Sequence, residues 1–394
     1  MADYENDLSQ IVYELNRSAP GTKAGSPSKL DVIGEKRAAP DPYLDTFLTQ
    51  AAERNASDII LIAGAGITLR VSGVLTPSTG KALSVDDLRR LLLPLLTAEQ
   101  VKELESHRVI DFCFVRGTLG RFRANIHYQR GSLAASIRLL PAQIPTLESL
   151  NLPPILGRLV ERRQGLILVT GPTGSGKTST MAALVHLINA RRREHIITIE
   201  DPVEYQHVNR NSIIEQIEVG ADTPGFSHAV RAVLRQSPDV ILIGEMRDAE
   251  TMAAALTAAE TGHLVLSSLH TNDTAQTMSR LLDTFPAGNQ TQIRQQLSLA
   301  LLAVIAQQLV PAAGQAGRFP ALEILVATNG IRNLIRTAQD HQIRSQISTG
   351  SAEGMNTMDQ SLAELVRNRR ILRETAMAHC HHPEELRSML NRHL

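Results

Sequence analysis

Gly171-Pro172-Thr173-Gly174-Ser175-Gly176-Lys177-Thr178 matches the pattern G-x-x-x-x-G-K-[ST] at every defined position, directly after the apolar run Leu166-Ile167-Leu168-Val169. Nothing else in the chain restricts the fold as strongly. Such a loop needs a strand before it to aim its backbone and a helix behind it to present a positive end to an anion. The stretch from Ser179 to Ala190 reads as that helix. The glycines let backbone N–H groups turn toward phosphate oxygens, Lys177 reaches the β and γ positions, and the Thr178 hydroxyl suits a magnesium ion. Residues 171–178 with Ser179 are therefore expected to bind a nucleoside triphosphate.

Composition narrows the partners. With 394 residues, 43% hydrophobic and 20% charged, the chain can bury an ample core and is expected to hold two domains. Its 40 basic and 40 acidic side chains cancel, which argues against bulk electrostatic binding to nucleic acid or to an anionic membrane. Seven Phe, five Tyr and no Trp also leave little for stacking on bases. The two cysteines, Cys113 and Cys380, form no C-x-x-C pair, consistent with a reducing cytoplasm. The acidic opening Met-Ala-Asp-Tyr-Glu lacks the plan of a signal peptide. The most apolar stretch, Leu297 to Ala306, ends at Gln307-Gln308 and is too short to cross a bilayer. Any membrane role is expected to run through a partner.

Residues 1–42 read as a flexible extension, because 17–42 are rich in Ser, Pro, Gly, Lys and Ala, although Ile11, Val12 and Leu15 suit a short docking helix. From Tyr43, Leu44, Phe47, Leu48 and Ala51 mark an amphipathic helix. Strands are expected at Asp58 to Ala63, Ile67 to Ser72, Val109 to Val115 and Arg121 to Gln129. Helices are expected from Ser84 to Pro94 and from Thr97 to Glu105. Residues 43–140 thus form a small α+β domain, and 141–154, with Pro141, Pro145, Pro153 and Pro154, form a linker. Over 155–394, apolar runs at Gly165 to Thr170, Ile196 to Glu200, Val240 to Ile243 and Leu264 to Ser268 alternate with helical stretches. That pattern predicts an α/β domain with a parallel sheet covered on both faces, followed by a helical tail from Ile324.

A sheet of that kind places ligands beyond the carboxyl ends of its strands. The rule selects Glu200-Asp201, Glu245 and His270, and rejects Asp239, which opens the strand that Glu245 follows. Glu245 is the candidate for magnesium, through water. In Glu200-Asp201-Pro202-Val203-Glu204, Glu204 is the candidate general base for an attacking water. His270 is placed to sense the γ-phosphate, whereas His263, at the other end of its strand, suits a structural role. Arg121, Arg123 and Arg138, on strands of the first domain, are candidates to close over the nucleotide.

GPTGSGKT, TIEDPVEY, PDVILIGEMRD, TGHLVLSSLHTN and IRNLIRTAQDHQI with GMNTMDQSLAELV, taken together, resemble the secretion-superfamily ATPases, most closely the PilT family of type IV pilus retraction motors. The resemblance runs from about Asp45 to Arg370. It implies a PAS-like N-terminal domain joined to a RecA-like motor domain, ATP held with Mg2+ between them, and a homohexameric ring working on an inner-membrane platform protein. On that pattern Lys177, Glu204, Glu245 and His270 are catalytic, and Arg121, Arg123 and Arg138 are candidates for the γ-phosphate contact, the choice among them open. Direct nucleic-acid binding and a transmembrane segment are not implied. The retraction motif falls on Ile331-Arg332-Asn333-Leu334-Ile335-Arg336, with Gly330 and Thr337 replacing the usual flanking alanine and glutamate. The four-cysteine insertion of the extension motors is missing. An accessory retraction ATPase, or a conjugative or type IVB secretion ATPase, would share these sites. A nucleic-acid motor and a non-hydrolysing scaffold are the alternatives from other classes.

Overall fold

The computed structural model describes residues 41–391, apart from 55, 72, 79, 80, 118, 315 and 316. The short helix expected around Ile11 to Leu15, and nearly all of the expected extension, lie outside the described residues.

The first half opens with α1 (Pro42–Glu53), whose first N–H groups are met by the Asp41 carboxylate and whose buried face is Leu44, Phe47, Leu48 and Ala51, as the spacing predicts. Strands β1 (Ala56–Leu61), β2 (Thr68–Val71) and β3 (Val74–Pro77) follow, then helices α2 (Val85–Leu92) and α3 (Ala98–His107). Both helices start in capping boxes, Ser84 with Asp87 and Thr97 with Gln100. Strands β4 (Val109–Arg116), β5 (Gly120–Gln129) and β6 (Ser132–Leu139) complete an antiparallel sheet in the order β3-β2-β1-β6-β5-β4. On β5, Phe122, Ala124 and Ile126 are buried while Arg121, Arg123 and His127 take the other face, so alternation in sequence becomes two-sidedness in space.

The second half begins with α4 (Ile155–Leu159), β7 (Gly165–Thr170) and α5 (Lys177–Arg191). It continues through β8 (His195–Glu200), β9 (Ile213–Glu218), α6 (Phe226–Val233), β10 (Val240–Ile243), α7 (Ala249–Glu260) and β11 (Leu264–Leu269). Then come α8 (Thr274–Asp283), α9 (Ala287–Ala300), β12 (Leu301–Pro311) and β13 (Arg318–Val326). Helices α10 (Asn329–Arg336), α11 (Ile343–Thr349), α12 (Met358–Arg367), α13 (Arg373–His379) and α14 (Pro383–Asn391) close the described chain. The sheet order is β13-β12-β7-β11-β10-β8-β9, parallel except for β13 against β12. β7, β10 and β11 are buried along their whole length, as strands covered on both faces must be. This is a RecA-like order: β11 lies between the strand that feeds the phosphate loop and the strand that delivers Glu245.

One expectation fails here, and one apolar stretch proves to be divided. The tail is not helical from Ile324, because β13 runs to Val326 and α10 starts at Asn329. The apolar stretch Leu297 to Ala306 is not one element either; α9 ends at Ala300 and Leu301, with φ −63° and ψ 130°, turns the chain straight into β12.

Candidate nucleotide site

A cleft of about 490 Å³ lies beyond the carboxyl ends of β7, β8, β10 and β11, and Arg123 and Arg138 of the first sheet form part of its wall. The phosphate loop is held from behind by a residue the sequence reading passed over. Gln307 of β12 donates from Nε2 to the Ser175 carbonyl at 2.6 Å and accepts from Thr180 Oγ1 at 2.8 Å. It leaves room for glycine alone: a Cβ on Gly171 would stand 2.2 Å from the Gln307 carbonyl oxygen, and one on Gly176 would stand 2.8 Å from Nε2. Both glycines also have positive φ, +144° and +89°. Lys177 Nζ donates to the carbonyls of Gly171 and Pro172 at 2.9 and 3.1 Å, curling over the loop where a phosphate would lie. Burial lowers the pKa of that ammonium, and the Glu245 carboxylate opposes the shift. No side chain caps α5, so its first N–H groups stay available to an anion.

The acidic turn is sorted by burial. The Glu200 carboxylate accepts from Thr198 Oγ1 at 2.7 Å and Gln216 Nε2 at 3.2 Å, and its pKa is raised because burial outweighs those hydrogen bonds. It braces the turn. Glu204, half-buried, lines the cleft without such partners of its own carboxylate among the described residues. Tyr205 ties the turn to α5, its hydroxyl 2.8 Å from Ser179 Oγ.

Glu245 stands just past β10 with its side chain 14% exposed, paired with Arg247 and 3.6 Å from His270 Nε2. Burial and the Lys177 charge lower the His270 pKa more than Glu245 raises it, which favours the neutral ring. Asp239 lies at the opposite end of β10, where its carboxylate accepts from the His195 N–H at 2.8 Å. His263 is likewise remote from the cleft, its Nδ1 2.9 Å from the Ala258 carbonyl in the last turn of α7.

The three arginines separate. Arg123 and Arg138 line the cleft, the latter held by Asp58 at 2.7 Å. Arg121 is not among the cleft residues: it donates to the Val203 carbonyl and, at 3.1 Å, to Glu218 Oε2, which also accepts the Val203 N–H at 3.0 Å. It clasps the residue before Glu204. Arg318, opening β13, is a further cleft arginine that sequence reasoning missed, because β13 itself was missed.

Thr178 and Glu245, both lining the cleft, offer the hard oxygen donors that magnesium takes. Among the described residues no cluster of three or more His, Cys, Asp and Glu is arranged to hold a metal. An ion here would therefore draw most of its ligands from phosphate and water.

Loop, sheet order and cleft define a P-loop ATPase with a RecA-like core. The family model described as "Type II/IV secretion system protein" matches residues 136–384. The type IV pilus retraction ATPase PilT of Pseudomonas aeruginosa is 41% identical over 338 residues, 86% of this chain and 98% of that protein. The type IV pilus ATPase PilU of the same organism is 38% identical, over 88% of this chain and 91% of its own length. A crystal structure of the pilus retraction motor PilT with bound ADP superposes with a TM-score of 0.81 at 44% identity, covering 87% of this chain and 98% of that one. The chain belongs to the type II/IV secretion system protein family, among its PilT-type ATPases.

Proposed function

We propose that this chain is a retraction motor, a homohexamer that hydrolyses Mg-ATP and couples the reaction to withdrawal of pilus subunits through an inner-membrane platform protein. The convergence of Lys177, Glu204, Glu245, His270, Arg123 and Arg138 on one cleft carries this reading.

ATP lies along the loop 171–178 and Ser179, with its β- and γ-phosphates on the first turn of α5 and on Lys177, whose ammonium exchanges the Gly171 and Pro172 carbonyls for phosphate oxygens. Thr178 and Glu245 would hold magnesium, which when bound would supply neutralisation of phosphate charge. Glu204 orients the attacking water and takes its proton, a role worth about 10²–10⁴ in rate. His270, neutral beside Glu245, hydrogen-bonds near the γ-phosphate. Arg123 and Arg138 bring the first sheet onto the transferred group, so loss of that group releases the contact between the halves. Arg121 acts differently from the other two: by holding Val203 it fixes the turn that carries Glu204.

Complementation tests the motor role. In a bacterium that extends pili but lacks its own retraction ATPase, this chain restores twitching and the Lys177→Ala variant does not. Restored secretion of another cargo with no effect on twitching would assign it to another apparatus.

A further inference from the structure

A second cavity, of about 910 Å³, opens at the opposite end of the strands, where β7 and β12 begin. β7 spans from this cavity to the phosphate loop, roughly 17 Å at about 3.3 Å per residue. Three arginines line it, Arg162, Arg163 and Arg332, against one acidic residue, Glu260, whose carboxylate already accepts from Gln296 at 2.9 Å. Arg332 is structurally committed: it donates to the carbonyls of Ser298 and Leu299 at 2.7 and 2.6 Å and to that of Ala327 at 3.0 Å, closing the end of α9. Burial first, and the nearby Arg162 charge second, lower its pKa. Arg162 and Arg163 are exposed, and their side chains have no hydrogen bond or ion pair among the described residues. Beside them Leu299 is 67% exposed.

Paired cations beside an apolar wall suit an acidic peptide with an apolar face better than a bare phosphate, which would leave the wall unused. This chain carries such a peptide. Residues 1–16 include Asp3, Glu5, Asp7 and Glu14 and neither lysine nor arginine, with Leu8, Ile11, Val12 and Leu15 at i, i+3, i+4 and i+7. They lie outside the described residues, joined to α1 by a stretch that reaches up to about 80 Å when extended.

We propose that the cavity docks residues 1–16 of this chain, their carboxylates meeting Arg162 and Arg163 and their apolar row covering Leu299. The docked segment would lie against Arg332, the one residue of the Ile331-to-Arg336 motif that lines the cavity.

The test titrates a fluorescein-labelled peptide of residues 1–16 into the chain lacking those residues, which removes no part of any described element, and follows anisotropy. Saturable binding is expected, weakened at least about tenfold by Arg162→Glu with Arg163→Glu and regained when the peptide's Asp3, Glu5 and Asp7 are replaced by lysine. The full-length chain, occupied by its own segment, should bind the peptide more weakly than the shortened one. Arg162→Gln with Arg163→Gln serves as a second, milder variant, and an unchanged circular dichroism spectrum shows that each variant folds. Lack of saturation at millimolar peptide, equal affinity for the charge-reversed cavity, or equal affinity of a scrambled peptide of the same composition would each overturn the proposal. The last result would make this face a general acceptor of acidic partners.

Discussion

Gln307 shows how much of a nucleotide site rests on a residue that never has to touch the nucleotide. Its amide serves the Ser175 carbonyl and the Thr180 hydroxyl together, and it excludes a side chain at Gly171 and Gly176. Gln307→Ala leaves both partners buried and unpaired, so urea unfolding should report a loss of about 1–3 kcal/mol, and calorimetry a weaker affinity for ATP. Unchanged stability together with unchanged affinity would refute this support role. His207, also in the cleft wall, matters to stability: burial, helped by the neighbouring His186, pushes its pKa down to about 4. The folded-state pKa lies below the unfolded value of about 6.5, so on acidification the unfolded chain binds the proton first. Its contribution is complete above pH 6.5 and is lost as pH falls toward 4, amounting to about 3 kcal/mol. The pH dependence of unfolding should therefore flatten over that window in His207→Gln; parallel curves for the two proteins would contradict the assignment.

Among elements, what the sequence revealed and what it hid have physical causes. β7, β8, β10 and β11 are short apolar runs bounded by turns or helices, and their carboxyl ends could be ordered by the phosphate loop alone. That was enough to place Glu245 and His270 beside the cleft and Asp239 away from it. β9 was missed because it is an edge strand with an alternating, partly exposed face. β12 was missed because α9 passes into it without Gly, Pro or an Asx turn, so one apolar stretch concealed a change of period. Missing β12 hid Gln307, and missing β13 hid Arg318. Arg121 and Arg123 were indistinguishable in sequence, since both sit on the same face of β5; only the packing of the halves gives one to Val203 and the other to the cleft. The α10 motif divides in the same way. Ile331, Leu334 and Ile335 are buried, Arg332 closes α9, and Arg336 is exposed and bonded to Asn333. Leu334→Ala should cost about 2–5 kcal/mol through the cavity it leaves, while Arg336→Ala should stay within about 0.5 kcal/mol of the parent. Thermal melts decide this: if Leu334→Ala melts with the parent, the motif is not a packing element.

At the scale of the whole molecule, two sheets with separate cores meet at the cleft, and arginines from the first close on groups supplied by the second. One half alone lacks either the phosphate loop or the β5 and β6 arginines, so in the proposed mechanism turnover depends on closure between halves, and in the proposed ring each closure displaces its neighbours. The direct test is phosphate release from Mg-ATP across a range of protein concentrations, with Lys177→Ala and Glu204→Gln alongside. The account predicts specific activity that rises with concentration as the ring assembles, is abolished in Lys177→Ala, and falls about a hundredfold or more in Glu204→Gln while ATP still binds. Specific activity independent of concentration, or full turnover in Glu204→Gln, would contradict it.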